Sequence, residues 1–358
     1  MKKLISLLLV AAMVFAFCAC GNSANEESAP AEEENAAEET VPAEETVVIK
    51  MGYTQGTEDP EGSDEVRYGT AFKEYVESHS DTIKVELYPS GQLGNANDVV
   101  GSIVTGTVQM GIYEASLLNN YDPDTMAFIL PGVFNDFSEV NAIIDSDWGK
   151  ELLASSSEKT GMMVLGGSCK GMRSFTVKGH ELRTVEDIKG LTFRVMDSPM
   201  YIQMLEALSA NPVPMPGSEM YVAMQNGVVD GQENPVTSVL NDKTYEVQDW
   251  YILDNHSPCI VFYFMNKAFF DSLSENQQQV ILEANDYATG LAREVVDKLT
   301  ADGIEQLEAY GMTVYVPTEE ELAGWQAAYA PVCEQYMREQ IGDELVDELL
   351  EQIEIIRS

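Results

Sequence analysis

The stretch ENQQQVILEANDYATGLAREVVDKLTADGIEQLEA, residues 275–309, carries the reading of the fold. It is rich in good helix formers, contains no proline, and is interrupted only by Gly290 and Gly303. At 1.5 Å per residue, a helix of about 25 residues or more is roughly 40 Å long. That exceeds one small domain, so this helix is expected to bridge two. A chain of 358 residues agrees with about two domains.

Working back from the helix, Ile260 to Asn266 is a very apolar strand. Further upstream, Val47–Met51, Ile83–Tyr88 and Val108–Tyr113 read as strands, the second by its strict alternation. Helical spacing lies between them, over Val66–Ser78 and over Asp98–Thr105, with Asn95 or Asn97 as cap. The order β-α-β-α-β argues for a parallel sheet with helices on its faces. The alternation continues with a helix over Ala142–Ser156 and a buried strand over Met162–Leu165. A capped helix start follows at Thr184–Asp187, then a strand over Leu191–Val195 and helices over Met200–Leu208 and Glu219–Asn226. Downstream of the long helix come a strand over Met312–Val316 and an amphipathic helical end including Leu345–Ile355. The fold class is therefore α/β, with two lobes that exchange chain segments. The first lobe is expected to hold 47–170 and 260–280, the second 171–259 and 300–358, with 275–309 between them. Such folds bind ligands at the carboxyl ends of strands or between lobes.

Sixty acidic against twenty basic side chains give a formal net charge of −40. This excludes a nucleic-acid binder that works by phosphate neutralisation. Residues 1–46 carry nine glutamates and two lysines, so most of the acid excess belongs to the folded part. An anionic ligand must then be captured by a few well-placed cations.

The N-terminus reads as an address. Lys2 and Lys3 precede an apolar run from Leu4 to Ala19, shorter than the roughly 20 residues that span a bilayer. That is a secretory signal over 1–19. Ala19-Cys20 resembles a bacterial lipoprotein cleavage site, which assigns Cys20 as the lipidated residue; bulky Phe17 makes Cys18 the poorer candidate. The expected location is extracytoplasmic, anchored by lipid to the outer face of the cytoplasmic membrane. From Cys20 to residue 46 the chain is acidic and lacks an apolar period, as in a disordered tether. The remaining Cys169, Cys259 and Cys333 are odd in number and widely spaced, which fits buried thiols better than a disulfide framework or a zinc site.

Enzymatic signatures are missing. His79, His180 and His256 lie in unrelated contexts, and no nucleophile elbow, phosphate loop, dinucleotide fingerprint or zinc-binding histidine pair occurs. No cofactor and no metal are expected. Two arginines stand out in apolar surroundings: Arg194 inside Leu191–Val195, and Arg173 in Gly171-Met172-Arg173, just after the 162–167 strand. A buried guanidinium without a partner costs several kcal/mol, so each has an internal carboxylate or awaits an anionic ligand.

A longer pattern bears on that choice. Pro212-Val213-Pro214-Met215, followed by Glu219-Met220-Tyr221-Val222-Ala223-Met224-Gln225-Asn226-Gly227-Val228-Val229-Asp230-Gly231-Gln232-Glu233-Asn234-Pro235, resembles the signature of TRAP-transporter solute-binding proteins, the DctP family. Leu87–Gly94, Asp187–Val195 and Tyr245–Gln248 are similar to further segments of it, in order, from about residue 47 to beyond 310. The resemblance implies a two-lobed receptor that captures a small organic acid and delivers it to the membrane subunits of a TRAP transporter, without catalysis. It implies that Arg194 pairs bidentately with a ligand carboxylate, that Arg173 assists, and that Asn234 donates its amide. Glu114 falls where similar proteins often place a polar ligand contact, although a capping or solvent-facing role fits it equally. Tyr53, Thr54 and Gln55 of the first βα loop are expected to line the cleft from the other lobe. At Pro216-Gly217-Ser218, where some relatives carry a bulky aromatic, this chain has none, which implies a roomier or differently closed pocket. A sensor using the same cleft, or an enzyme on a similar fold, are the rival readings.

Overall fold

The computed structural model describes residues 45–56 and 59–358. The expected signal segment 1–19, Cys20 and nearly all of the expected tether lie outside the described residues. Strand β1 (Val47–Tyr53) leads into helix α1 (Asp64–His79), followed by β2 (Ile83–Tyr88), α2 (Ala96–Val104) and β3 (Met110–Glu114). β1 pairs in parallel with both β2 and β3, as the alternating order requires. The side chain of Asn95 caps α2, accepting from the Asp98 amide at 3.0 Å.

Two helices follow, α3 (Phe137–Asp145) and α4 (Asp147–Thr160), where the periodicity predicts one helix over 142–156. Ser146 separates them: its hydroxyl accepts from the Gly149 amide, capping α4. Strand β4 (Met162–Val177) is four times the length expected for it. It pairs antiparallel with β9 (introduced below) through two register shifts, between Val164 and Gly167 and between Cys169 and Met172. These bulges break the alternation that marks a strand, so the sequence reads as a short strand and a loop. Arg173 therefore lies within a strand, not after one. β4 reaches both halves of the sheet, and residue 170 is not a break in secondary structure.

The second half continues with α5 (Val185–Ile188), β5 (Thr192–Val195), α6 (Pro199–Ala207), β6 (Asn211–Pro214), α7 (Gly217–Gln225), β7 (Gly231–Asn234), α8 (Val236–Asn241) and β8 (Trp250–Ile252). The chain then returns through β9 (Ser257–Asn266), which lies between β3 and β4 and runs antiparallel to both. After α9 (Lys267–Asp271) come α10 (Glu275–Ala309), β10 (Thr313–Tyr315), α11 (Glu319–Ile341) and α12 (Asp343–Arg357). The strand order is β2-β1-β3-β9-β4-β7-β5-β6, with β8 paired to β4 and β10. The sheet is thus mixed, its parallel sets joined through β9 and β4. The architecture is a two-lobed α/β fold.

Helix α10 is continuous over all 35 residues, about 52 Å at the helical rise. Its buried face in the first half is small or slender: Val280, Ile281, Ala284, Ala288 and Ala292. These pack with Tyr68, Phe72 and Tyr263 in one core. In the second half Gly303 meets α8, where an added Cβ would stand 2.3 Å from Val236 Cγ1. The helix thus touches elements of both lobes. α12, in the 300–358 segment expected in the second lobe, packs on α11 and also on α3. Arg357 is bonded to Glu139 at 2.9 Å, and Trp148 Nε1 donates to Glu348 at 3.1 Å. Among the described residues no helix is long and apolar enough to cross a membrane.

Candidate ligand-binding cleft

A cleft of about 250 Å³ opens where several strands end. Thr54 and Gln55 follow β1, Ser90 and Gly91 follow β2, and Glu114 ends β3. From the other side come Arg194 and Met196 at the end of β5, Met215–Ser218 between β6 and α7, and Asn234 at the end of β7. Carboxyl ends of parallel strands are where open α/β sheets place ligands, because the connecting loops diverge there. Side-chain hydrogen bonds link the two sides. Asn241 Nδ2 donates to Gln55 Oε1 at 2.9 Å, and Asn120 Nδ2 donates to the Asp197 carbonyl at 3.3 Å.

Arg194 is the distinctive group in this wall. It is only 4% exposed, yet no carboxylate among the described residues lies within ion-pair distance of it. Nε and Nη2 donate to the Met215 carbonyl at 3.1 and 2.9 Å, and Nη1 reaches only the Met220 sulfur at 3.6 Å. Burial without a counter-ion pulls its guanidinium down to about 10, with the nearby charge of Arg173 adding to the effect and Glu233 opposing it. Gly217 stands beside it: a Cβ there would lie 3.8 Å from Arg194 Nη2, and no side chain occupies that space.

Arg173 is in the opposite situation. It is fully buried and does not line the cleft. Glu233 engages its Nε, and a second Glu233 oxygen accepts from Nη2 at 2.9 Å. The Glu233 carbonyl also accepts from Nη2, at 2.8 Å, and the Tyr201 ring stacks under the guanidinium at 4.9 Å. Burial opposes the charge, but Glu233 more than offsets it and holds Arg173 well above the usual range. The network extends to His256, whose Nε2 lies 3.3 Å from Glu233 and whose Nδ1 lies 2.8 Å from Asp254. Despite burial, those two carboxylates raise His256 to about 9.

The other expected residues divide in the same way. Asn234 lines the cleft, with its amide donating to Gln232 at 2.5 Å. Glu114 lines it as well; its carboxylate accepts the Cys259 thiol at 3.2 Å and lies 3.9 Å from Arg173. Thr54 and Gln55 line it, but Tyr53 is 2% exposed and packs into the core beneath. Cys169, Cys259 and Cys333 are buried free thiols. No group of three or more His, Cys, Asp or Glu suited to a metal ion occurs among the described residues.

Two lining residues escaped the sequence reading. Lys170, 2% exposed, is held by Glu65 at 2.8 Å with Asp64 at 4.0 Å. Glu65 is itself fixed by the amides of Thr54 and Gln55, at 3.0 and 2.9 Å. A signal existed, since Lys170 is the only charge in the apolar and small-residue run from Gly161 to Met172. Asp242, after α8, stands in the cleft where solvent reaches it, and makes no side-chain hydrogen bond or ion pair among the described residues. Nothing in its local sequence sets it apart from the other acids. Crowding by protein pushes its carboxyl up to about 6, with Lys170 and Arg194 opposing the shift and Glu65 and Glu114 adding to it.

Comparison with known proteins agrees with this geometry. Residues 55–340 match the family model described as bacterial extracellular solute-binding protein, family 7. The C4-dicarboxylate-binding periplasmic protein DctP of Rhodobacter capsulatus is 31% identical over 311 residues, spanning 84% of this chain and 89% of that protein. The sugar acid binding protein DctPAm of Advenella mimigardefordensis, solved with galactonate, superposes with a TM-score of 0.81 at 27% identity, covering 87% of this chain and 98% of that one. A TRAP periplasmic solute-binding protein of Shewanella oneidensis with bound succinate gives 0.80 at 27%, covering 86% and 99%.

Proposed function

The chain belongs to the bacterial extracellular solute-binding family 7, and we propose that Arg194 is the group by which this member holds the carboxylate of its ligand. The protein is an extracytoplasmic receptor that captures a small organic acid for a TRAP transporter. The single observation that carries the Arg194 assignment is a buried guanidinium, facing the cleft, without a carboxylate partner. A ligand carboxylate would supply the missing charge, and the planar fork matches its two oxygens. Asn234, Glu114, Thr54 and Gln55 surround the same space and are assigned to the rest of the ligand. Arg173 acts at one remove, by fixing the Glu233–Asn234 strand that forms one wall of the cleft.

The receptor hands its ligand to the membrane subunits of the transporter and performs no reaction on it. Lipid on Cys20 holds the protein at the outer face of the cytoplasmic membrane. Mass spectrometry of the mature N-terminus tests the anchor: a diacylglyceryl group on Cys20 is expected, and an unmodified terminus refutes it. The binding assignment is tested by calorimetric titration of carboxylates into the purified protein and into Arg194→Ala. Binding of an acid that is lost in the variant supports it. Tight binding of neutral solutes alone would sink it.

A further inference from the structure

We infer that the ligand carries a single carboxylate and that its far end donates hydrogen bonds, through hydroxyl or ammonium groups, to Asp242 and Glu114, so that the site rejects dicarboxylates. This rests on the reading of Arg194 as the carboxylate anchor. Once one carboxylate occupies Arg194, a second needs another cation or a set of free donors. Lys170 is the other cation in the wall, and Glu65 and Asp64 already neutralise it from within the protein. Asn234 gives one amide N–H to Gln232 and turns the other toward the Met220 sulfur at 3.7 Å, so it offers a ligand at most one neutral donor and no charge. The remaining charged groups toward the open space are all acids, beside neutral hydroxyls and amides such as Ser90, Asn97 and Ser218: the Asp242 carboxylate without any side-chain partner, the Glu114 carboxylate with only a thiol and a distant guanidinium, and Asp197. A second ligand carboxylate would meet like charge, which costs several kcal/mol at a desolvated contact. A hydroxyl or ammonium group would instead give these carboxylates a charge-assisted hydrogen bond as the ligand takes the place of solvent. The rise of the Asp242 carboxyl to about 6 comes first from crowding by protein, and the charges of Glu65 and Glu114 add to it.

Four acids of equal carbon count test this: butyrate, 4-hydroxybutyrate, 4-aminobutyrate and succinate, which share one carboxylate and differ only at the other end. Titrated calorimetrically at about pH 7.5, where Asp242 is ionised, the hydroxyl or the ammonium acid is expected to bind at least about tenfold tighter than succinate and butyrate. Whichever of the two is tighter identifies the donor. Combining Asp242→Asn with Glu114→Gln should shrink the discrimination against succinate to within about threefold; thermal melting of the free variant checks that it folds. Succinate binding as tightly as the donor acids, with dependence on Arg194, overturns this inference and leaves the anchor intact. Failure of all four acids, and of the larger polyhydroxy acid gluconate, overturns both.

Discussion

Arg194 and Arg173 occupy adjoining parts of one buried region, and what separates them is the partner. Truncating a buried charge that pairs with a ligand costs about 2–5 kcal/mol, so Arg194→Ala should weaken the preferred acid by roughly 30-fold to 4000-fold. The fold should be retained, because the side chain gives up hydrogen bonds to the Met215 carbonyl and a weak contact with the Met220 sulfur, and no ion pair. Titration and a melting curve on the same variant check both statements. Arg173→Met should do the reverse. It leaves Glu233 in the interior with only His256 as counter-ion, a loss of up to about 3–5 kcal/mol in stability by denaturant unfolding. Replacing Glu233 by Gln in the same chain should recover part of it, since no unpaired carboxylate then remains. The sequence marks both arginines equally, as cations in apolar runs. Which one is paired depends on Glu233, sixty residues away along the chain and opposite Arg173 only through the pairing of β4 with β7.

Among the elements, the long helix was legible and the long strand was not. α10 shows itself by an unbroken run of helix formers, a local property, and its 35 residues match the expected boundaries. Its two glycines differ only in what faces them. Gly290 has nothing within 4 Å of a built Cβ, so Gly290→Ala should stabilise the protein by up to about 1 kcal/mol through helix propensity. At Gly303 the same change would drive a methyl into Val236 and Leu240 of the neighbouring α8, and stability should fall despite the better propensity. Thermal denaturation of the two variants side by side decides this. In β4 the glycines serve a different end: a Cβ at Gly167 would stand 2.7 Å from the Phe262 ring and 2.9 Å from the Val261 carbonyl. Gly166-Gly167 and Gly171 therefore mark a bulged strand in close contact with β9, and on sequence alone the same residues read as a turn.

Across the whole molecule, buried charge couples stability to pH. His256 is raised from 6.5 to about 9, because Asp254 and Glu233 outweigh the cost of burial. Below pH 6.5 it is protonated folded and unfolded alike, and its contribution is complete. As pH rises from 6.5 through 9 the folded protein must give up the proton and that contribution is lost. The melting temperature should therefore decline over this window, and less steeply in His256→Asn. A flat wild-type profile there would contradict the charged histidine. The same network holds the strand that brings Asn234 to the cleft wall, so alkaline loosening should reach ligand affinity together with stability.

By itself the sequence determined the class of fold, the long helix, the family pattern around Val229–Pro235 and the prominence of Arg194 as a cation in an apolar run, because each rests on local propensity, periodicity or contiguous residues. Only the tertiary structure decided that Arg173 is internally paired and Tyr53 buried, and that Lys170 and Asp242 belong to the cleft. It also decided that α12 packs on α3. Those facts depend on which distant segments meet, and burial, ion pairing and cleft exposure are properties of the meeting.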